Sequence, residues 1–128
     1  MSHISIFKTQ IRNPNPQLLQ QAMEALAQQY GARLLVGQSY SDAYDTIEAD
    51  YILVLPSGRG IGVKTNGGVL EVVGDPYGWR NQFEKLQNQI VQTYVHFALI
   101  QQLQQMGYQL QGVQQLENGT IVGDLVRW

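Results

Sequence analysis

The sequence predicts an α+β fold: a mostly antiparallel sheet carrying two helices on one face, a two-layer sandwich in the order β-α-β-β-β-β-α-β-β. Three observations lead there. Only two segments, 16–30 and 79–106, carry apolar residues at helical spacing. The rest divides into short β-rich runs separated by Pro-Ser-Gly, Asn-Gly-Gly and Glu-Asn-Gly, which are hairpin signals. With 128 residues and 44% hydrophobic content, the chain suits a single domain over 1–128.

Each element follows from its residues. Segment 2–11 places Ile4, Ile6, Phe7 and Ile11 among polar residues, a strand whose alternation is broken by the adjacent Ile6 and Phe7. Pro14 and Pro16 end it, because proline removes a backbone donor. Asn15 is then a suitable helix cap, with Pro16 in the first turn. Leu19, Ala22, Met23, Leu26, Ala27 and Tyr30 make an amphipathic face, and Gly31 takes the usual C-terminal position. Leu34, Leu35 and Val36 mark a second strand in 32–37. Segment 38–50 is polar and aromatic, a loop or a weak edge strand. Segments 51–55, 59–64 and 69–73 form an antiparallel meander, closed by Asp75-Pro76-Tyr77-Gly78.

The helix over 79–106 has two apolar arcs. Phe83, Leu86, Ile90, Tyr94 and Phe97 share one, and Val95, Leu99, Leu103 and Met106 share another. A curved helix, or a contact from another chain, satisfies both. Segments 108–116 and 120–128 make a final hairpin. Glutamines interleave with apolar residues in both helices, which reads as a neutral, solvated face.

Composition restricts function. Eight Lys and Arg against ten Asp and Glu leave a net charge of −2, so binding nucleic acid through bulk charge is not expected. Without cysteine there is no disulfide, thiol nucleophile or thiolate metal site. No apolar run approaches the roughly 20 residues of a membrane span, and 1–11 lacks the plan of a signal peptide. Membrane insertion is therefore not expected.

No catalytic constellation is recognisable, which leaves a Tyr- or Asp-based enzyme open, and no cofactor or metal is expected. His3 and His96 have no carboxylates at ligand spacing. Asp42, Asp45, Glu48 and Asp50 lack the alternation and central glycine of a calcium loop. They read as a solvated acidic loop, with cation binding or docking to a basic partner as alternatives. Segment 58–64 fails the phosphate-loop spacing. Its Gly60 and Gly62 share one sheet face, where a helix, another backbone or a ligand can approach.

Asp75, Tyr77, Trp79 and Arg80 gather where the meander meets the second helix. Asp75 suits a turn cap, Tyr77 and Trp79 suit binding anchors, and Arg80 needs a carboxylate from Asp75 or a partner. Trp128 either finishes the last strand or enters a partner groove. Three functions remain open. The first is a non-enzymatic interaction module using the Tyr77/Trp79/Arg80 corner or the late face of 79–106, through which the chain would self-associate. The second is a small-ligand protein or enzyme with a pocket over Gly60 and Gly62. The third, disfavoured by the low basic content, is single-stranded nucleic-acid binding on the sheet.

Several segments carry a family resemblance through their order and spacing. They are MSHISIFKTQI at 1–11, the Leu-rich first helix, ADYILVL at 49–55 and GIGVKTNGG at 60–68. With them go GDPYG at 74–78, the helix through 89–103, and NGTI at 118–121 leading to Arg127-Trp128. Together they resemble the hypothetical chloroplast reading frame number thirty-five family, small proteins of cyanobacteria and plastid genomes built on a domain of unknown function. Family members often carry a second aromatic where Pro76-Tyr77 stand here. The resemblance implies a protein of the cyanobacterial cytoplasm or plastid stroma and supplies no mechanism.

Overall fold

The computed structural model describes residues 4–115 and 121–127, with side chains over 4–107. Its elements are β1 (Ser5–Arg12), α1 (Pro16–Tyr30), β2 (Arg33–Val36), β3 (Ser39–Ser41), β4 (Thr46–Glu48) and β5 (Tyr51–Val54). They continue with β6 (Gly60–Asn66), β7 (Val69–Gly74), α2 (Arg80–Gln105), β8 (Tyr108–Gln115) and β9 (Ile121–Arg127). The main sheet has the order β1-β7-β6-β5-β2, every pair antiparallel, with the expected meander at its centre.

Local chemistry sets the first helix. The Asn15 side chain accepts from the Gln17 and Leu18 amides at 2.9 and 3.2 Å, and Gly31 closes the end at φ +63°. Both helices cover one sheet face. Leu18, Leu19, Ala22, Met23 and Leu26 of α1 and Phe83, Leu86 and Ile90 of α2 bury against Leu53, Ile61, Val63, Leu70 and Val72. Each large aliphatic side chain buried there contributes about 1.5–3 kcal/mol. Tyr94 of α2 also holds the entry of α1, its hydroxyl accepting the Asn15 amide at 2.9 Å.

Three features depart from the sequence reading. Segment 38–50 is a two-stranded arm, β3–β4, that folds over the opposite sheet face. Ile47 is its buried anchor, packed on Ile52, Val54 and Val73 with Tyr40 and Ala49 beside it. A partial third layer thus adds to the expected two. The amide face of α2 is also not wholly solvated: Gln89 is buried and accepts a hydrogen bond from the Tyr30 hydroxyl. Burial raises the Tyr30 pKa, which the Gln89 contact partly offsets. Finally, β8 and β9 form a separate two-stranded sheet.

The two arcs of α2 have different fates. Phe83, Leu86, Ile90 and Tyr94 are buried and Phe97 packs at the margin, whereas Val95, Leu99 and Met106 are exposed.

Candidate functional site: the Arg59 corner

Three turns converge at one end of the sheet. Past Leu55, the turn Pro56-Ser57-Gly58 reverses the chain, with Gly58 at φ +89° and the Leu55 amide donating to the Arg59 carbonyl at 2.8 Å. This delivers Arg59 to the corner. After β7, the Asp75 carboxylate accepts the Tyr77 amide at 2.9 Å, the turn-capping role its residue type suggests. Gly78 follows at φ +82°, and α2 begins after Trp79. The third turn is the tip of the β3–β4 arm. There Asp42 Oδ1 accepts the Tyr44 and Asp45 amides at 2.7 and 2.9 Å.

Arg59 joins all three. Its Nη1 donates to the Tyr77 carbonyl at 2.5 Å and its Nη2 to the Asp75 carbonyl at 2.8 Å. Its Nε lies 3.3 Å from Asp42 Oδ2, in an ion pair whose side chains are only 13% and 10% exposed. The guanidinium carbon sits 4.6 Å from the Tyr44 ring centroid and 5.4 Å from that of Trp79. The fork is therefore directed inward, and its role is to hold the corner together. Trp79 donates Nε1–H to the Asp75 carbonyl at 2.7 Å and packs edge-on against Phe83 at 5.3 Å, which ties the corner to the core. The Tyr40 hydroxyl donates to the Gly58 carbonyl at 2.6 Å and fixes the arm to the same turn.

The corner presents Tyr44 and Tyr77 to the outside. Their rings lie 5.8 Å apart and tilted by 55°, and each is 51% exposed. A Tyr has few rotatable bonds, so one held at its backbone and stacked on a fixed guanidinium offers contact area at low entropy cost.

The expected site residues are distributed as follows. Asp75, Tyr77 and Trp79 do converge. Arg80 is exposed in the first turn of α2, and the cation that organises the corner is Arg59. Gly60 and Gly62 lie under the arm: a Cβ on Gly60 would stand 3.0 Å from Tyr40, and one on Gly62 would stand 2.7 Å from Ala49. The approaching atoms are side chains of the chain itself: Tyr40 and Ile47 pack over Gly60, and Ile47 and Ala49 over Gly62. Trp128 and His3 lie outside the described residues. His96 is half-buried on α2 against Phe97, and its pKa is lowered by burial. Two acids of the acidic loop cap backbone amides: Asp42 at the arm tip, and Asp50, whose Oδ2 accepts the Thr65 amide of β6 at 3.0 Å. Among the described residues, no three acidic or histidine side chains are grouped to hold a metal ion.

Sequence reasoning missed Tyr44 and Arg59, and placed Asp42 in the acidic loop without joining it to the corner. One signal was available: Arg59 is the first cation after a stretch from Leu34 to Gly58 that holds four acids and no Lys or Arg.

No curated protein and no solved structure matches the chain. A family model described as "Protein of unknown function (DUF1257)" matches residues 36–122, a span that contains the whole Arg59 corner and leaves β1 and α1 outside. The chain belongs to that family.

Proposed function

We propose that the protein is a non-enzymatic interaction module that docks a protein partner on the Tyr44/Tyr77 face of the Arg59 corner. The supporting observation is the pair of half-exposed tyrosines at one largely enclosed arginine, which stacks on the Tyr44 ring and donates to the Tyr77 carbonyl. Rigid aromatic side chains of this kind dominate binding energy at protein interfaces. The resemblance to the chloroplast reading frame number thirty-five family supports placing this module in a cyanobacterial cytoplasm or plastid stroma.

The test is affinity purification of the tagged protein at native expression, with Tyr77→Ala in parallel. Truncating an anchor of this type costs about 2 kcal/mol or more, a loss of roughly thirtyfold in affinity. A stoichiometric partner retained by the parent and lost by a folded Tyr77→Ala protein is the expected result. A partner captured equally by both would remove the corner from the account.

A second reading is self-association through the late half of α2. The exposure of Val95, Leu99 and Met106 on one arc favours it. A concentration-dependent change in sedimentation, abolished by Leu99→Gln, is its expected signature.

A further inference from the structure

The free edge of β1 lies apart from the Arg59 corner and carries a separate signal. β1 is the end strand of the main sheet and, among the described residues, pairs only with β7. It is apolar on both faces. Ile4 and Ile6 stand exposed on the arm side, beside a depression of about 240 Å3 shared with Thr46 and Glu48. Phe7 stands exposed on the helix side, at a groove of about 570 Å3 bounded by Ile11, Val91 and Val95. A strand laid along this edge would send alternate side chains into the two depressions.

The charge pattern says which strand fits. On the arm side, one cross-strand row runs Lys8–Glu71–Lys64 over β1, β7 and β6. The next position is Asp50, one residue before the Tyr51–Val63 pair. Signs alternate along the row, Glu71 is 2% exposed within it, and the row ends at the free edge on exposed Lys8. Opposite charges on neighbouring strands stabilise a ladder and like charges oppose it, so the complementary next residue is acidic. A second copy of β1 does not supply it, because residues 4–23 contain no Asp or Glu.

A bulge fixes the extent of the edge. Register shifts between Lys8 and Arg12, where Thr9 Oγ1 donates to the Leu70 carbonyl at 2.7 Å and accepts the Ile11 amide at 3.1 Å. Bulges disrupt edge pairing, so the regular template is the Ser5–Lys8 half. We propose that this half of β1 accepts an extended segment of a partner protein by strand addition, with apolar groups directed to both depressions and an Asp or Glu opposite Lys8.

The test uses the full chain, isotope-labelled, and two synthetic peptides as long as β1, eight residues. Both alternate Val and Thr; one has a central Glu and the other a central Lys. The Glu peptide is expected to shift the amides of residues 4–8 and to protect those among them that point away from β7. The Lys peptide should bind about three- to fivefold more weakly, the scale of one cross-strand charge pair. Added salt should narrow that gap. Lys8→Gln, which retains the fold by thermal melt, should erase the preference, and Lys85→Gln on exposed α2 should not. Equal binding of both peptides, binding of neither, or shifts centred away from β1 would overturn the proposal. So would a dimer in sedimentation that Phe7→Ser dissolves, because a second copy would then occupy the edge.

Discussion

Replacing Gly62 with alanine sets two effects of opposite sign against each other, and the structure decides between them. Gly62 does not have a left-handed backbone. On chain entropy alone, alanine there would stabilise the protein by about 0.4–1 kcal/mol. The new Cβ, however, would stand 2.7 Å from the Ala49 Cβ and 3.3 Å from both Ile47 Cγ2 and Ile52 Cγ1. Carbon atoms settle at about 3.5–4.0 Å, so the arm must retreat by roughly an ångström. Overpacking of that size costs about 1–3 kcal/mol, and retreat also loosens Ile47 from Ile52, Val54 and Val73. The clash wins: Gly62→Ala should lose about 1–2 kcal/mol, a fall of roughly 3–8 °C in Tm. Gly60→Ala should lose less, because its nearest neighbours are the Tyr40 ring edge at 3.0 Å and the Ile47 tip at 3.2 Å, which can rotate. Urea titration of both variants, with amide exchange across 39–48, measures the cost and locates it. A Gly62→Ala protein as stable as the parent would refute the reasoning, since the space over the glycine strand would then be open.

Other consequences follow from individual contacts. Arg59→Ala should cost about 1.5–3 kcal/mol in denaturant, because it leaves largely enclosed Asp42 without this cation and frees two carbonyl acceptors. Arg59→Lys should recover only part of this, since an ammonium cannot bridge both carbonyls while stacking on Tyr44. Thr9→Val keeps the shape of the β1 bulge and removes both of its hydroxyl bonds. It should cost about 1–3 kcal/mol and speed exchange at the Ile11 amide. His96 has a folded pKa below its ordinary value of 6.5, so the unfolded chain binds the proton more readily. Its contribution to stability is complete above pH 6.5 and declines as pH falls through the depressed pKa. Wild type should therefore lose more stability than His96→Gln on acidification; parallel pH curves would contradict this.

Much of the frame was legible because its signals are local. Asn15, Pro16 and Gly31 bracket α1 through their own backbone chemistry, and the turn at 66–68 marks the centre of the meander. The adjacent Ile6 and Phe7, a flaw in a one-sided strand, suit an edge strand apolar on both faces. The second arc of α2 was legible as a separate face, but the sequence left open whether a curve of the helix or another chain covers it. The arm was not, because β3 and β4 are three residues each and only Ile47 among those six is buried. Three-residue strands have no period to detect, and what holds them is packing on Ile52, Val54 and Val73 from distant strands. The corner was half visible. Asp75, Tyr77 and Trp79 are neighbours in sequence, whereas Asp42, Tyr44 and Arg59 arrive from two other turns. Arg80 looked like the corner's cation because it was the nearest one in the chain.

The central claim is that Tyr44 and Tyr77 meet a partner protein. The most direct measurement places a photocrosslinking amino acid at position 77, at position 44 and, as a control, at exposed position 21 on α1, each in the native cell. The account predicts one discrete adduct from positions 77 and 44, containing the same partner, and none from position 21. No discrete adduct from position 77, or the same adduct from all three positions, would contradict it.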